Sequence, residues 1–388
     1  MRHFGHVAPA ERRRLFHQEP CEFAADSPAR LLSAALGATL YSPATRPRIA
    51  EDVTKQAARG VVSMVLCLED SIGDEDVPAG EENLVRQFTE LAARPDAEPP
   101  LLFVRVRTPE QIPDLVGRLG PAVRLLTGFV FPKFTGERGV PFLEALAAAE
   151  AAGGRRLFAM PVLESPELLY RESRVETLEG IFRAVDKYRD RVLALRLGVT
   201  DFCSSYGLRR APDMTAYDVQ IVASVIADVV NMLGRADGTG FTVTGPVWEY
   251  FRVPERMFKP MLRQSPFLEG QAVELRERLI EHAMDGLLRE ITLDQANGLL
   301  GKTCIHPSHV PAVHALSVVS HEEYSDAADI LRPERGGGGV LRSQYTNKMN
   351  EVKPHRAWAE RTMLRAEVFG VAHEDVSFVD LLAAGIPR

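Results

Sequence analysis

The sequence predicts an α/β fold in which a closed (β/α)8 barrel carries an N-terminal extension and a C-terminal helical tail. From about residue 37 to about residue 320, short apolar runs rich in β-branched residues alternate with longer helical stretches, as in parallel strands joined by helices. The apolar runs are continuous, which is expected for strands covered on both faces. Eight runs with at least seven helical stretches between them match a closed barrel. The alternative, an open doubly wound sheet, lacks its G-x-G-x-x-G after the first run.

The elements follow in a regular order along the chain. The predicted strands are 37–44, 61–70, 101–107, 125–133, 157–165, 192–201, 241–248 and 302–307. The clearest helical stretches are 141–152, 166–188 and 215–233, the last with apolar residues recurring at helical spacing. This order divides the chain into an extension at 1–36, a catalytic barrel at 37–320 and a helical, glycine-rich tail at 321–388. The extension carries a basic cluster at 12–14 and is predicted to be solvated.

The composition limits the kinds of molecule that the protein is expected to bind. The chain has 388 residues, of which 45% are hydrophobic and 26% charged, and no apolar run is long enough to span a bilayer. Its net charge of -7 gives no basic field for holding a nucleic acid. Four cysteines are too few for a disulfide framework, and the first residues lack the apolar core of a signal peptide. We therefore expect a cytoplasmic protein that binds neither membranes nor nucleic acid.

Polar residues close most of the predicted strands. Active sites of (β/α)8 barrels lie at the C-terminal ends of the strands, and consecutive candidates here are about one βα unit apart. Side chains distant in sequence are thus expected to meet at one mouth. The candidates are Glu69 and Asp70 after the second strand, Arg105 in the third, Lys133 after the fourth, Glu164 after the fifth, Asp201 after the sixth and His306 in the eighth.

Glu164 and Asp201 end adjacent predicted strands. Two carboxylates, completed by water and substrate oxygens, suit a hard dication such as Mg²⁺ or Mn²⁺. Zinc is disfavoured because no cysteine and histidine cluster has ligand spacing. The alternative is that both acids are helix N-caps, although Ser165 is the better cap at the first position.

The remaining candidates each have two interpretations. Arg105 lies inside an apolar strand, so its guanidinium must either orient an anionic substrate or pair with Glu69 or Asp70. Lys133 either forms a Schiff base or supplies a positive charge. His306 is either a neutral histidine bonded to backbone or an acid/base group.

Seven segments carry a resemblance to a known family. Together they resemble the HpcH/HpaI aldolase and citrate lyase β-subunit (CitE-like) superfamily, and more closely its C-C bond lyase subgroup associated with tellurite resistance and stress operons. The resemblance extends over about residues 37–315. The segments, in order, are TLYSPATRP, VLCLEDSI, FVRVR, FVFPK, MPVLES, LRLGVTDF and GKTCIHPSHV.

The resemblance implies a TIM barrel and a role for each motif. Glu164 and Asp201 would hold the divalent metal, and Arg105 would bind a substrate carboxylate. The other positions that match family motifs are Glu69 and Asp70 near the metal waters, Lys133, Arg46 after the first strand, and Gly198 and His306 as substrate-binding residues.

The activity implied is that of a metal-dependent carbon-carbon lyase or aldolase. It would act on a small anionic substrate, a 2-oxo or 3-hydroxy acid or its CoA thioester, through an enolate that the cation stabilises. The alternatives are thioester hydrolysis, phosphoenolpyruvate-type transfer, a Schiff-base aldolase using Lys133, and a non-catalytic barrel that binds a metabolite or a partner in a stress complex.

The tail and one long connection depart from the family pattern. CitE-like relatives carry D-G-x-M-(V/I)-D in a tail that reaches a neighbouring subunit, which implies a homo-oligomer. The nearest text here is 346–351, so Glu351 takes the place of the final acid. The connection at 249–270 is basic and aromatic and is interpreted either as a lid for an anionic substrate or as a solvated loop.

Overall fold

The eight barrel strands lie where the sequence predicts them. The computed structural model describes residues 1–95, 98–251, 284–332 and 337–386, together with the single residues 274 and 334. Each strand of its parallel sheet falls within one predicted run, which confirms the (β/α)8 barrel. The strands, here β1 to β8, are Ala38–Pro43, Ser63–Cys67, Leu101–Arg105, Leu126–Phe131, Phe158–Leu163, Leu195–Leu197, Val243–Thr244 and Lys302–Cys304.

The sheet curls until its two edge strands meet. β1 pairs with β2 and β8, and the order runs without a break from β2 to β7. A parallel bridge between Gly245 and Lys302 joins the end of β7 to β8. At this junction Gly301 has a φ of +73°, and a Cβ atom there would lie 2.6 Å from the carbonyl oxygen of Gly37. Glycine is therefore required where the two backbones approach.

A helix follows each strand on the outside of the sheet. The predicted stretches 166–188 and 215–233 both begin with a short 3-10 turn before the α-helix starts. The helices, in strand order, are Ile49–Ala57, Val77–Ala92, Gln111–Leu119, Gly136–Gly153, Arg171–Lys187, then Val199–Ser204 and Gln220–Leu233 after β6, Met284–Ala296 and Val310–Ser317. The 3-10 turns are Asp74–Asp76, Gly120–Leu125, Pro166–Leu168, Ala216–Asp218 and Pro307–His309.

Strand residues alternate between two hydrophobic cores. Leu66 and Val104 pack between the sheet and the helices, whereas Val65 and Phe103 fill the inside of the barrel. Successive side chains of a strand point to opposite faces, and here both faces are buried. This explains the continuous apolar runs of the sequence. Because the inside is packed, the strand ends are left as the place for a site.

The N-terminal extension is packed against the barrel and is not solvated as predicted. It contains the helices Pro9–Leu15 and Ala29–Ala35, and its strand Phe16–Gln18 pairs with Val371–Ala372 of the tail. Phe4 is fully buried, and the ring of His3 lies 4.5 Å from that of His314. The basic cluster misled the prediction, because the apolar residues around it provide the buried face.

The tail wraps back onto the same part of the molecule. Its helix Phe378–Gly385 packs on Val310–Ser317, and Val352–Phe369 packs on Ala29–Ala35. A separate hairpin joins Val340–Arg342 to Met349–Glu351, and His321–Leu331 begins at a capping box. Among the described residues, no helix has the length and apolar character needed to cross a bilayer.

Candidate active site

Charged side chains from five consecutive strands meet at one end of the barrel. This end is the C-terminal one, as the strand pattern predicts. Glu69 and Glu164 are almost fully buried there, whereas Asp70 and Lys133 are about half exposed. The group consists of Glu69 and Asp70 after β2, Arg105 at the end of β3, Lys133 after β4, Glu164 after β5 and Asp201 after β6.

Arg105 joins two of these carboxylates. Its Nη2 atom lies 2.7 Å from Oε2 of Glu69 and 2.8 Å from Oε1 of Glu164. Burial of the guanidinium disfavours its charge, but the negative charges of Glu164 and Glu69 raise the pKa of Arg105 above its ordinary value. Arg105 thus forms the predicted ion pair with Glu69, and it does so at the strand end where the charged side chains meet.

Lys133 contacts acids of the same cluster and has an unusual backbone conformation. Its φ is +47°, which is left-handed and costs a non-glycine residue about 1–2 kcal/mol. In this conformation its backbone N–H donates to Oε1 of Glu164 at 2.9 Å, while its Nζ donates to Oε1 of Glu69 at 2.7 Å. Burial acts against the ammonium, but the hydrogen bond and charge of Glu69 raise the pKa of Lys133. Lys133 is therefore a cation, which favours the simple positive charge over the Schiff base.

Glu164 depends on the absence of a side chain at Gly198. A Cβ atom on Gly198 would lie 2.3 Å from Cβ and 2.4 Å from Oε2 of Glu164. Burial, together with the negative charge of Asp201 and against the attraction of Arg105, raises the pKa of Glu164 to about 7. A carboxylate in this position lacks full charge compensation from the protein.

Asp201 faces the same group from the next strand end. It lies in the first turn of Val199–Ser204, whose N-cap is Gly198. Burial and the negative charge of Asp70 raise the pKa of Asp201. Neither acid is a helix cap, because Ser165 and Gly198 occupy the N-cap positions of the helical segments that follow β5 and β6. The N-cap alternative is therefore wrong.

The two acids fit a hard divalent cation. Within the described ranges, no three histidine, cysteine or acidic side chains form a complete metal shell. Magnesium does not need one, because it keeps several waters and binds through one or two carboxylates. Burial raises the pKa values of both acids, and a bound dication would offset the cost of keeping their negative charges out of water.

Comparison with known proteins places the chain in a family. A family model described as C-C bond lyase of the TIM-barrel fold matches residues 30–371. The chain belongs to the C-C bond lyase family. The predicted relationship and the predicted carbon-carbon lyase class are thereby confirmed. No curated protein matches the sequence of this family member.

Solved structures are similar to this chain at low sequence identity. The CitE protein of Mycobacterium tuberculosis in complex with magnesium, acetoacetate and coenzyme A is 20% identical, with a TM-score of 0.52 over 86% of this chain and 99% of that chain. The Haloferax volcanii malate synthase magnesium/glyoxylate complex is 17% identical, with a TM-score of 0.48 over 71% of this chain and 73% of that one.

For two predicted substrate-binding residues, the contacts described here are with residues outside the charged cluster. Arg46, after β1, is exposed and pairs with Asp52 at 2.7 Å. The ring of His306, after β8, stacks on Phe251 with centroids 4.7 Å apart, and its Nδ1 lies 2.7 Å from the Ser308 hydroxyl. Their roles toward a substrate stay predictions.

Glu351 lies in the C-terminal tail. It is exposed at the end of the tail hairpin, where its backbone N–H donates to Nδ1 of His355. A role at a neighbouring subunit stays a prediction. The lid interpretation of 249–270 concerns residues 252–270, which lie outside the described residues.

The sequence analysis missed a buried charge network behind β8. Lys302 is 1% exposed, and its Nζ lies 2.8 Å from Oε1 of Glu290 and 2.7 Å from Oδ2 of Asp294. Arg210 pairs with the other oxygen of Glu290 at 2.7 Å, and Tyr217 donates to Asp294 at 2.9 Å. The network ties β8 to Met284–Ala296. Lys302 lies inside the segment GKTCIHPSHV, but its acidic partners come from the preceding helix.

Gly198→Ala is expected to displace Glu164. The added methyl would overlap a buried carboxylate, so we expect a loss of about 1–3 kcal/mol of unfolding free energy. Mg²⁺ affinity, measured by calorimetry, is expected to fall on the order of tenfold or more. The matched control is Gly117→Ala, because a Cβ atom there meets nothing within 4 Å. Equal Mg²⁺ affinity in both variants would contradict the role of Gly198.

Proposed function

We propose that this chain is a magnesium-dependent carbon-carbon lyase that acts on a 2-oxo or 3-hydroxy acid. The observation that carries the proposal is the pair of desolvated carboxylates, Glu164 and Asp201, on neighbouring strand ends beside Arg105 and Lys133. Bound Mg²⁺, or Mn²⁺ in its place, supplies Lewis acidity that stabilises the negative oxygen of an enolate.

Two findings from related proteins support the proposal. The family to which the chain belongs is one of C-C bond lyases. The CitE protein that shares its fold was solved with magnesium, acetoacetate and coenzyme A. A small carboxylate ligand and a dication at the strand ends are therefore the chemistry proposed for this chain, and a CoA thioester is included in the substrate class.

The protein's own residues bind and orient the substrate. Glu69 and Glu164 both hold Nη2 of Arg105, so its guanidinium is fixed in direction before a ligand enters. Such fixation lowers the entropic cost of aligning the reacting carbons. The Lys133 ammonium adds positive charge on the exposed side of the mouth, where an acid group arrives from solvent. Both cations favour an anionic substrate.

The proposal extends to the assembly and location of the protein. We propose a homo-oligomer in which the tail hairpin, with Glu351 exposed at its end, faces a neighbouring subunit. We also propose a cytoplasmic location, supported by four unpaired cysteines.

The proposed function is tested by proton exchange between pyruvate and solvent. Enolate formation exchanges the methyl protons of pyruvate with D₂O, which NMR measures directly. With Mg²⁺ we expect exchange well above the protein-free rate, and with EDTA we expect the protein-free rate. Restoration by added Mg²⁺ is the control for damage by the chelator. Exchange that persists in EDTA, or no exchange for pyruvate and a panel of longer 2-oxo acids, would overturn the proposal.

A further inference from the structure

A second arginine lies inside the barrel below the charged cluster. Arg196 is the central residue of β6, and its neighbours Leu195 and Leu197 belong to the core outside the sheet. It pairs in register with Val162, two residues before Glu164. Since a strand rises about 3.3 Å per residue, Arg196 lies roughly 6–7 Å deeper than the layer of Glu164 and Gly198.

Arg196 has no anionic partner in the described part of the chain. It is 1% exposed, and its Nη2 donates to the Thr303 hydroxyl at 2.7 Å. The contacts of Nη1 are poor: the Thr39 hydroxyl lies at 3.4 Å and the Met160 sulfur at 3.7 Å. Its buried Nε has no acceptor. Hydroxyl and thioether groups carry no net charge, so the guanidinium is left electrostatically uncompensated.

Such an arrangement is unfavourable for the protein alone. A buried charge is normally paired, and an apolar side chain of similar size in its place is often neutral or stabilising. Tyr41 offers partial compensation, because its ring centroid lies 5.5 Å from Cζ of Arg196. Arg105, by contrast, is matched by two carboxylates. The two arginines of the barrel interior therefore differ in whether the protein supplies the counter-charge.

We propose that Arg196, with Thr303, is a second anion-binding group at the floor of the mouth and receives a carboxylate of the ligand. The planar guanidinium matches a carboxylate in shape and charge. Tyr41 and Thr303 are only partly buried, which gives the ligand a side of approach. This inference deepens the proposed function, on which it rests for the identity of the mouth.

The test uses malonate, a small dicarboxylate, as the probe. Calorimetry in EDTA measures its binding to the full chain without metal or turnover. We expect Arg196→Met to weaken binding at least tenfold, and Arg196→Lys to bind with intermediate affinity because lysine keeps the charge but lacks the planar fork. The matched control is Arg156→Met, which removes an exposed arginine that also lies over an aromatic ring, at 4.7 Å from the Phe158 centroid. Its affinity is expected to be unchanged.

Thermal unfolding separates binding from a structural role. Without malonate, Arg196→Met is expected to melt at or above the Tm of the parent. When malonate is added, the Tm of the parent is expected to rise and that of Arg196→Met to stay unchanged. Parent-like malonate affinity in Arg196→Met, or no malonate binding by the parent, overturns the inference. If Arg196→Met fails to fold, parent-like affinity in Arg196→Lys overturns it. The two proposals can fail separately. If the parent binds malonate but shows no metal-dependent proton exchange, the proposed function is wrong and the assignment of Arg196 as an anion-binding group is retained.

Discussion

Glu164→Gln and Asp201→Asn proteins are expected to lose metal-dependent proton exchange by on the order of 10²–10⁴-fold. A dication contributes several kcal/mol of transition-state charge stabilisation, and each 1.36 kcal/mol is tenfold in rate. Either amide keeps the size of the side chain but removes one of the two negative charges that attract the cation. At position 164 the amide oxygen can still accept from Lys133 and Arg105, so the local structure is expected to persist.

We expect the loss of proton exchange in these variants to result from weaker Mg²⁺ binding. Calorimetry is expected to show Mg²⁺ affinity reduced by about a hundredfold or more in both variants. Loss of a residue that only hydrogen-bonds to a metal ligand costs about 10–100-fold in affinity, and loss of a ligand itself is expected to cost more. Glu167→Gln is the matched control, since Glu167 is an exposed acid three residues further along that pairs with Arg138. Parent-like Mg²⁺ affinity in Glu164→Gln and Asp201→Asn would show that the cation, if bound, lies elsewhere.

Lys302→Met is expected to reduce the unfolding free energy by about 3–5 kcal/mol. The substitution leaves Glu290 and Asp294 buried without the ammonium that both of them contact. Arg210 still pairs with one oxygen of Glu290, but among the described contacts of Asp294 the hydrogen bond from the Tyr217 hydroxyl is the one that remains. Because Lys302 also begins β8 and forms the bridge to Gly245, the destabilisation acts at the junction that closes the barrel.

Urea unfolding measures this effect. The midpoint is expected to fall in Lys302→Met with an unchanged m value, as for a stability change in a two-state transition. Lys55→Met provides the comparison, because Lys55 is exposed on Ile49–Ala57 and its replacement should stay within about 0.5 kcal/mol of the parent. Adding Asp294→Asn to Lys302→Met is expected to recover part of the loss by removing an unpaired charge. Equal midpoints for Lys302→Met and Lys55→Met would show that the network contributes nothing.

Much of the site could be predicted because of where charged residues interrupt apolar runs. Glu164 and Asp201 end such runs, and parallel strands of a barrel bring these ends together. The partners of Arg105 were only half predictable. Glu69 precedes it by one βα unit and was a candidate, whereas Glu164 comes from a strand two positions further around the barrel. That contact depends on the curvature of the sheet, which local sequence patterns do not record.

Arg196 and Lys302 were not predicted as functional residues, for a different reason. Both stand in short apolar segments, so the signal that singled out Arg105 was present for them as well. Whether such a residue is paired depends on side chains from other strands and helices. Lys302 has two acidic partners from Met284–Ala296, whereas the partners of Arg196 among the described residues are hydroxyls, a sulfur and an aromatic ring.

The amino-acid order by itself determined the alternation of strands and helices, the family, and the end of the barrel that carries charge. Strands that are buried on both faces can be recognised from the pattern of apolar residues in short stretches of sequence. The ends of those strands can be recognised from the polar residues that follow. Only the tertiary structure decided that the extension is packed, that Gly198 makes room for Glu164, and which buried cations are paired. Those outcomes depend on distances of a few ångströms between residues far apart in the chain, because electrostatic pairing and steric fit act through space.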